Sequence, residues 1–142
     1  MSPQVPPHPS PHRHRVPVVL VFAGFVTGPI VWGLAMTTSY GFASLACFPG
    51  SQRLTGPMAG WGWMSVLIPA LFIAAIVVTA AAAALSYRTW TMTRSEAAGH
   101  ALDIGEGRTR FMAAWGLMTS ATFIVLLGFN LISTLLVPPC AT

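Results

Sequence analysis

The chain has few charged residues and no lysine. Only 7% of its 142 residues are charged, whereas soluble domains carry about 25%. Hydrophobic residues make up 54% of the chain, and its mean hydropathy is +0.69. This composition excludes an ordinary soluble core and predicts an integral membrane protein. The net charge of +4 does not indicate nucleic-acid binding, because the arginines flank apolar runs, where anionic lipid is the natural partner.

The long apolar runs contain no Asp, Glu, Lys, Arg or His. A proton relay, an ion pathway or a transporter's coupling site needs such groups, and a haem or copper site held by intramembrane imidazole needs histidine. The sequence also lacks a recognisable nucleophile–base pair, carboxylate pair or phosphate-binding loop. We therefore expect a protein that is not an enzyme and carries no cofactor.

Three apolar segments predict an all-α fold, a three-helix transmembrane bundle. Each segment is long enough to cross a hydrocarbon layer of about 30 Å. The predicted spans are residues 16–46, 61–87 and 111–137. A short loop over 48–60 joins the first two spans, and a polar loop over 88–110, with a short surface helix near 96–102, joins the last two.

Aromatic residues mark the two ends of the second span, because Trp and Tyr concentrate where a membrane meets water. Trp61 and Trp63 lie at its start, and Tyr87 and Trp90 lie at its end. The third span is followed by a Pro-Pro pair at 138–139, which terminates a helix.

Residues 1–15 contain five prolines and no apolar core, so they predict a disordered cytoplasmic tail and not a cleaved signal peptide. His8, His12 and His14 are close enough in sequence to touch one metal ion, which makes them weak candidates for a metal site. Ordering a flexible tail opposes such binding. A solvated tail resting on anionic lipid is the interpretation we favour.

The arginines predict the orientation, since cytoplasmic loops of membrane proteins are enriched in basic residues. Arg53 is the only arginine assigned to one side of the membrane. The others fall on the opposite side: Arg13, Arg15, Arg88, Arg94, Arg108 and Arg110. This distribution predicts an N-terminus inside and a C-terminus outside, in a multi-pass protein of the bacterial inner membrane.

Cys47 and Cys140, the two cysteines, follow the first and third spans and so fall on the same, outer face. The outer compartment is oxidising, so a disulfide is predicted, provided the Cα atoms come within about 7 Å. Two buried thiols are the alternative. A metal pair is disfavoured, because no histidine lies on that side to complete a site.

Small residues form one stripe on the first span, which predicts a groove for close helix packing, within the chain or against a partner. The stripe consists of Gly24, Gly28, Ala35 and Ser39, and the span also contains Pro29. Gly116 and Ser120 form a similar pair in the third span. Asn130 is the only carboxamide within the spans, and we expect it to form an interhelical hydrogen bond worth about 0.6 kcal/mol rather than a functional site.

The first span contains the pattern Gly28-Pro29-x-x-Trp32-x7-Tyr40-x6-Cys47, and Pro-Pro-Cys follows the third span at 138–140. In these motifs the sequence resembles a group of small bacterial membrane proteins whose genes lie beside those of haem-copper (cytochrome c) oxidases. The resemblance covers about a third of the chain. Ala35 stands where many of those proteins carry histidine, so no haem ligand carries over. The resemblance implies an accessory or assembly role in a respiratory oxidase. It carries over Gly28, Pro29, Trp32 and Tyr40 as packing positions, together with Cys47.

Three functions are therefore compared. The first is a non-enzymatic accessory or assembly subunit, with membrane lipid and a larger membrane protein complex as partners. The second is a protein that handles metal or haem, using the N-terminal histidines or the cysteines as ligands. The third is a small oligomeric transporter. The first agrees best with uncharged spans that carry small-residue grooves.

Overall fold

The computed structural model describes residues 18–50, 52, 54–93, 108–137 and 140. Over these residues the fold is all-helical, with three helices: α1 (Val18–Cys47), α2 (Met64–Thr93) and α3 (Arg108–Leu136). Each helix is long and apolar enough to cross a membrane. With 29 or 30 residues each, the helices extend about 45 Å, which exceeds a hydrocarbon layer of about 30 Å. The chain is accordingly a multi-pass membrane protein.

The helix boundaries differ from the predicted spans at the polar loop. Helix α2 continues six residues past Tyr87 to Thr93, and α3 begins at Arg108, three residues before Phe111. The loop predicted over 88–110 is therefore too long at both ends. The segment 88–93 contains neither Gly nor Pro, so nothing breaks the helix there. The change to polar residues after Tyr87 indicates where the span leaves the hydrocarbon layer of the membrane. It does not indicate the end of the helix, which can continue into the headgroup region.

The loop between α1 and α2 is longer than predicted, because α2 begins at Met64 and not at Trp61. Gly60 has a φ of +89°, which glycine adopts without steric cost, and turns precede the helix. The predicted surface helix near 96–102 and the tail over 1–15 lie outside the described residues.

Each helix packs against both others. Consecutive helices run antiparallel, because Gly24 near the start of α1 contacts Ser86 near the end of α2 and lies close to Gly116 in the first half of α3. We call the end where α1 ends, α2 begins and α3 ends the disulfide end. We call the opposite end the arginine end. The hydrophobic core lies toward the disulfide end, where Phe72, Met64 and Leu127 are fully buried.

From Ile68 onward the buried residues of α2 recur at alternating intervals of four and three positions, an average of 3.5. This is the heptad spacing that left-handed bundles use. The series consists of Ile68, Phe72, Ala75, Thr79, Ala82, Ser86 and Thr89, and the buried Met64 lies four positions before it. Its members become small toward the arginine end, which allows the helix backbones to approach closely there.

Candidate functional site

At the arginine end, four small residues from three helices form a junction that we call the small-residue junction: Gly24 on α1, Ser86 on α2, and Gly116 and Ser120 on α3. A β-carbon on Gly24 would overlap Ser86 Oγ, and one on Gly116 would lie 3.0 Å from that oxygen and 3.3 Å from the Gly24 backbone. Ser120 Oγ donates a hydrogen bond to the Gly24 carbonyl across 3.2 Å. The junction fixes the three helices together.

One helical turn further along α1, Gly28 and Trp32 pack against Phe123 of α3. A β-carbon on Gly28 would lie 3.2 Å from the Phe123 ring, and the Trp32 and Phe123 ring centroids are 5.8 Å apart. Pro29 lies inside α1 and is partly buried. Most of the predicted small-residue stripe is thus covered within the chain: Gly24, Gly28 and Ala35 are buried, while Ser39 is half-buried.

At the opposite end, Cys47 and Cys140 are joined at disulfide-bonding distance, with Cα atoms 5.4 Å apart. This distance lies inside the range of about 4.4–6.8 Å that disulfides require, as predicted. The loop after α1 folds back over the same end, because Leu54 N donates to the Cys47 carbonyl across 2.9 Å and Met58 N to the Ala46 carbonyl across 3.1 Å. The end of α1 is therefore held by a covalent link to the segment after α3 and by the loop.

Toward the disulfide end, a cavity of about 270 Å³ opens between the helices. We call it the disulfide-end cavity, and all three helices line it. Its walls are Met36, Ser39, Tyr40, Ala43, Met64, Ser65, Ile68, Pro69, Phe72, Asn130, Ser133, Thr134 and Val137. Small-molecule pockets usually measure about 300 Å³ or more, so this volume suits a side chain or a small ligand rather than a large cofactor.

Three hydroxyl groups of the cavity donate their hydrogens to backbone carbonyls three or four residues earlier in the chain. Ser39 Oγ donates to the Ala35 carbonyl across 2.7 Å, Thr134 Oγ1 to Leu131 across 2.8 Å, and Ser65 Oγ to Gly62 across 2.8 Å. A hydroxyl has one hydrogen, so these three oxygens can only accept a further hydrogen bond. The cavity is therefore suited to an occupant that donates hydrogen bonds.

Asn130 departs from its prediction, because its hydrogen bond stays within α3. Nδ2 donates to the Leu126 carbonyl across 2.8 Å, one turn earlier in the same helix. Residue 130 lines the cavity, and a carbonyl of its own helix one turn back lies within reach of the carboxamide. Tyr40, predicted as a packing residue, is 77% exposed and lies at the rim of the cavity. It contributes little to packing among the three helices.

Sequence reasoning missed Ser86 and Phe123, the partners that the glycines of α1 contact. The signal was present in α2, where small residues recur in heptad spacing through Ala75, Thr79 and Ala82. The alanine run over 80–84 conceals this pattern, since its exposed and buried alanines look alike.

The metal candidates His8, His12 and His14 lie outside the described residues. Within the described part of the chain, no group of three or more His, Cys, Asp or Glu side chains is positioned to hold a metal ion. A comparison with protein-family models, with curated proteins and with solved structures found no match for this chain. The resemblance to oxidase-associated proteins stays a prediction.

Proposed function

We propose that the chain is a non-enzymatic accessory or assembly subunit of a larger membrane complex. The disulfide-end cavity is the observation that supports this proposal best. At the arginine end the helices pack closely through the small-residue junction. At the disulfide end the hydroxyl oxygens of Ser39, Ser65 and Thr134 can each accept a further hydrogen bond. Acceptors at membrane depth gain from a donor, because lipid tails supply none.

The occupant that fits the cavity is a side chain of a partner's transmembrane helix. The hydrogen-bond donor of this side chain would bind the hydroxyl oxygens of the cavity. Its apolar part would pack on the buried Ile68 and Phe72, which also line the cavity. Hydrogen bonds between membrane helices contribute about 0.6–2 kcal/mol, so they add specificity to an interface that packing stabilises. The exposed Tyr40 at the rim would add contact area to the same interface.

The proposed partner is a respiratory haem-copper oxidase. Support comes from the sequence resemblance over Gly28, Pro29, Trp32, Tyr40 and Cys47. The lack of charged and imidazole groups in the predicted apolar spans, 16–46, 61–87 and 111–137, favours a structural role over ion or electron transfer.

The proposed location is the bacterial inner membrane, with the N-terminus inside and the C-terminus outside. The arginine distribution supports this orientation, because six of the seven arginines belong to one side. The cysteine pair supports it independently. Cys47 and Cys140 lie together at the end away from most arginines, and the orientation gives them an oxidising compartment.

Purification of the tagged chain from its native membrane in mild detergent tests this function. Oxidase subunits are expected to co-purify, and Asn130→Leu or Ser39→Ala should reduce their recovery. Thr37→Val is the matched control, because Thr37 also donates to its own helix, at the Gly33 carbonyl, but does not line the cavity. Recovery of a lone, colourless protein would contradict the proposal. A haem spectrum or stoichiometric metal in the isolated chain would favour the alternative of metal or haem handling.

A further inference from the structure

Four side chains present hydrogen-bond acceptors to the disulfide-end cavity. Ser39 Oγ, Ser65 Oγ and Thr134 Oγ1 each donate their single hydrogen to a backbone carbonyl, so they can only accept a further bond. Asn130 donates through Nδ2 to the Leu126 carbonyl, and its Oδ1 is a fourth acceptor. The second hydrogen of that amide is the one donor that these four groups retain. The four oxygens therefore favour an occupant that carries several donors.

Pro69 adds a backbone acceptor to the same cavity. It lies inside α2, and both Pro69 and Ser65 line the cavity. Proline has no N–H, so the Ser65 carbonyl lacks the helical hydrogen bond that residue 69 would otherwise donate. A carbonyl at membrane depth needs a donor from elsewhere, because lipid tails supply none. The proline therefore increases the number of donors that the cavity can use.

The helix ends make the disulfide end electrostatically negative. Helices α1 and α3 end there, whereas only α2 begins there. A helix C-terminus carries about half a negative charge and an N-terminus about half a positive charge, so the three ends together amount to about half a negative charge. None of the described residues that line the cavity is charged. A donor group that is positively charged is therefore favoured over a neutral one.

We infer that the disulfide-end cavity binds a primary ammonium group, supplied by a lysine side chain of the partner's transmembrane helix. An ammonium group has three donors and no acceptor, and its donors rotate to meet oxygens on different helices. A guanidinium group is planar and matches the paired oxygens of a carboxylate or a phosphate, which the described lining residues do not offer. The aliphatic stem of the lysine would pack on the buried Ile68 and Phe72.

The position of the cavity agrees with a lysine near the end of a membrane helix. Ser65 belongs to the first turn of α2 and Thr134 to the last turn of α3, so the acceptors lie close to the membrane surface. Lysines near helix ends extend their charged group toward that surface. The chain contains no lysine, so a second copy of it cannot supply this side chain. The source of the group rests on the proposed function, whereas the preference of the cavity for ammonium does not.

Fluorine NMR of the purified full chain, in a non-ionic detergent at neutral pH, tests the preference for ammonium. The chain has two tyrosines, Tyr40 at the rim of the cavity and Tyr87 near the other end of α2, and both are replaced with 3-fluorotyrosine. Butylammonium, which reproduces a lysine side chain, should shift the Tyr40 resonance saturably and leave that of Tyr87 unchanged. Butyltrimethylammonium has the same charge but no N–H and should not saturate. Equal responses to the two cations, or no saturable shift, would overturn the inference.

Substitutions in the cavity should weaken butylammonium binding in the same assay. Ser39→Ala and Thr134→Val should each raise the saturation constant by about tenfold, the effect of one hydrogen bond to a charged group. Thr37→Val is the matched control and should leave it unchanged, because Thr37 does not line the cavity. Arg53, in the loop after α1, lies outside the described residues. Saturation seen only in Arg53→Gln would mean that the chain's own arginine occupies the cavity, which would overturn the assignment to a partner.

Photocrosslinking in the native membrane tests the source of the ammonium group. With benzoylphenylalanine in place of Tyr40, the crosslinked peptide should contain a lysine within one helical turn of the attachment point, and replacing that lysine with methionine should reduce recovery of the complex. A crosslinked segment without lysine, or a crosslink to an aminophospholipid, would overturn the partner assignment. Co-purification tests the proposed function separately. Saturable butylammonium binding by a chain that recovers no partner would refute the proposed function and leave the ammonium site in place.

Discussion

Ser86 Oγ of α2 occupies the space that a β-carbon on Gly24 of α1 would fill. The contact joins two helices at the arginine end, where no disulfide links them. Ser86 is 5% exposed, so the contact lies inside the bundle and not at its surface. The close approach of these helices therefore depends on the absence of a side chain at position 24.

Replacing Gly24 with valine should destabilise the bundle by about 1–3 kcal/mol, the usual range for overpacking. Rotation of the Ser86 hydroxyl could relieve a single methyl group, but not a branched side chain. The free energy of unfolding in mixed detergent micelles measures the effect. Gly33→Val is the matched control, because nothing lies within 4 Å of a β-carbon at that position.

Combining Gly24→Val with Ser86→Gly should recover part of the lost stability, because the second substitution removes the side chain that valine meets. The double-mutant cycle is expected to show a coupling above 0.5 kcal/mol, as contacting residues do. Strict additivity of the two substitutions would contradict the contact between them.

Replacing Ser120 with alanine should lower the free energy of unfolding by about 0.6 kcal/mol, the average for a hydrogen bond between membrane helices. The loss is modest because the Gly24 carbonyl also accepts a bond within its own helix, as interior helical carbonyls do. The same unfolding assay measures it. Thr122→Val is the control, since Thr122 bonds only to the Met118 carbonyl of α3 and is exposed. An equal loss in both variants would show that the interhelical bond adds nothing.

Because Cys47 and Cys140 form a disulfide, neither sulfur should react with a thiol-reactive polymer until a reductant is added. Both Cys47 and Cys140 should then react, with a matching shift in gel mobility. A cysteine-free variant carrying Gln52→Cys is the labelling control, because residue 52 is exposed. Modification of both native thiols without reductant would refute the bond in the cell.

Loop entropy assigns about 4–5 kcal/mol of stabilisation to a disulfide that closes a loop of this length. Reduction of the disulfide should lower the free energy of unfolding by much less than that. The cysteines are 93 positions apart, but membrane insertion already confines the ends of α1 and α3 in the unfolded reference state. A loss near the full value, measured by unfolding with and without reductant, would contradict this argument.

A reporter enzyme that folds only in an oxidising compartment should be active when fused after residue 142 and inactive when fused before residue 1. The expectation follows from the positive-inside rule, with Arg53 the single arginine assigned to the outer side. A fluorescent cytoplasmic reporter should give the reverse pattern. Activity in the opposite arrangement would require an inverted bundle and would remove the oxidising environment from the cysteine pair.

Hydropathy was sufficient to predict three membrane-crossing helices, because a run of apolar residues in lipid has few structures available to it. The placement of Cys47 and Cys140 on the same face followed from the two crossings, α2 and α3, that lie between them. The ends of α2 and α3 were not predictable in the same way. Segment 88–93 is more polar than the rest of α2, but its backbone stays helical. The change in polarity therefore indicates where the apolar span ends, not where the helix ends.

Side-chain partners were harder to predict than helices. Gly24 and Gly116 were recognised as packing residues, but Ser86, which packs against both, follows the run of small residues over 80–84 and does not stand out from it. Asn130 and Tyr40 show the opposite error. Both carry polar groups that suggest an interior role, yet Asn130 bonds to its own helix and Tyr40 is exposed. A sequence shows that a polar group needs a partner, not which of several nearby acceptors supplies it.

The position of the sulfur–sulfur link also carries information about biogenesis. Cys47 completes α1, but its partner Cys140 comes only after α2 and α3. A nascent chain arrested after its second crossing must therefore keep a reactive thiol. An oxidised molecule is one in which the translocation machinery has finished all three crossings, so the covalent bond records completed insertion in a form that a quality-control protease or a thiol reagent can distinguish.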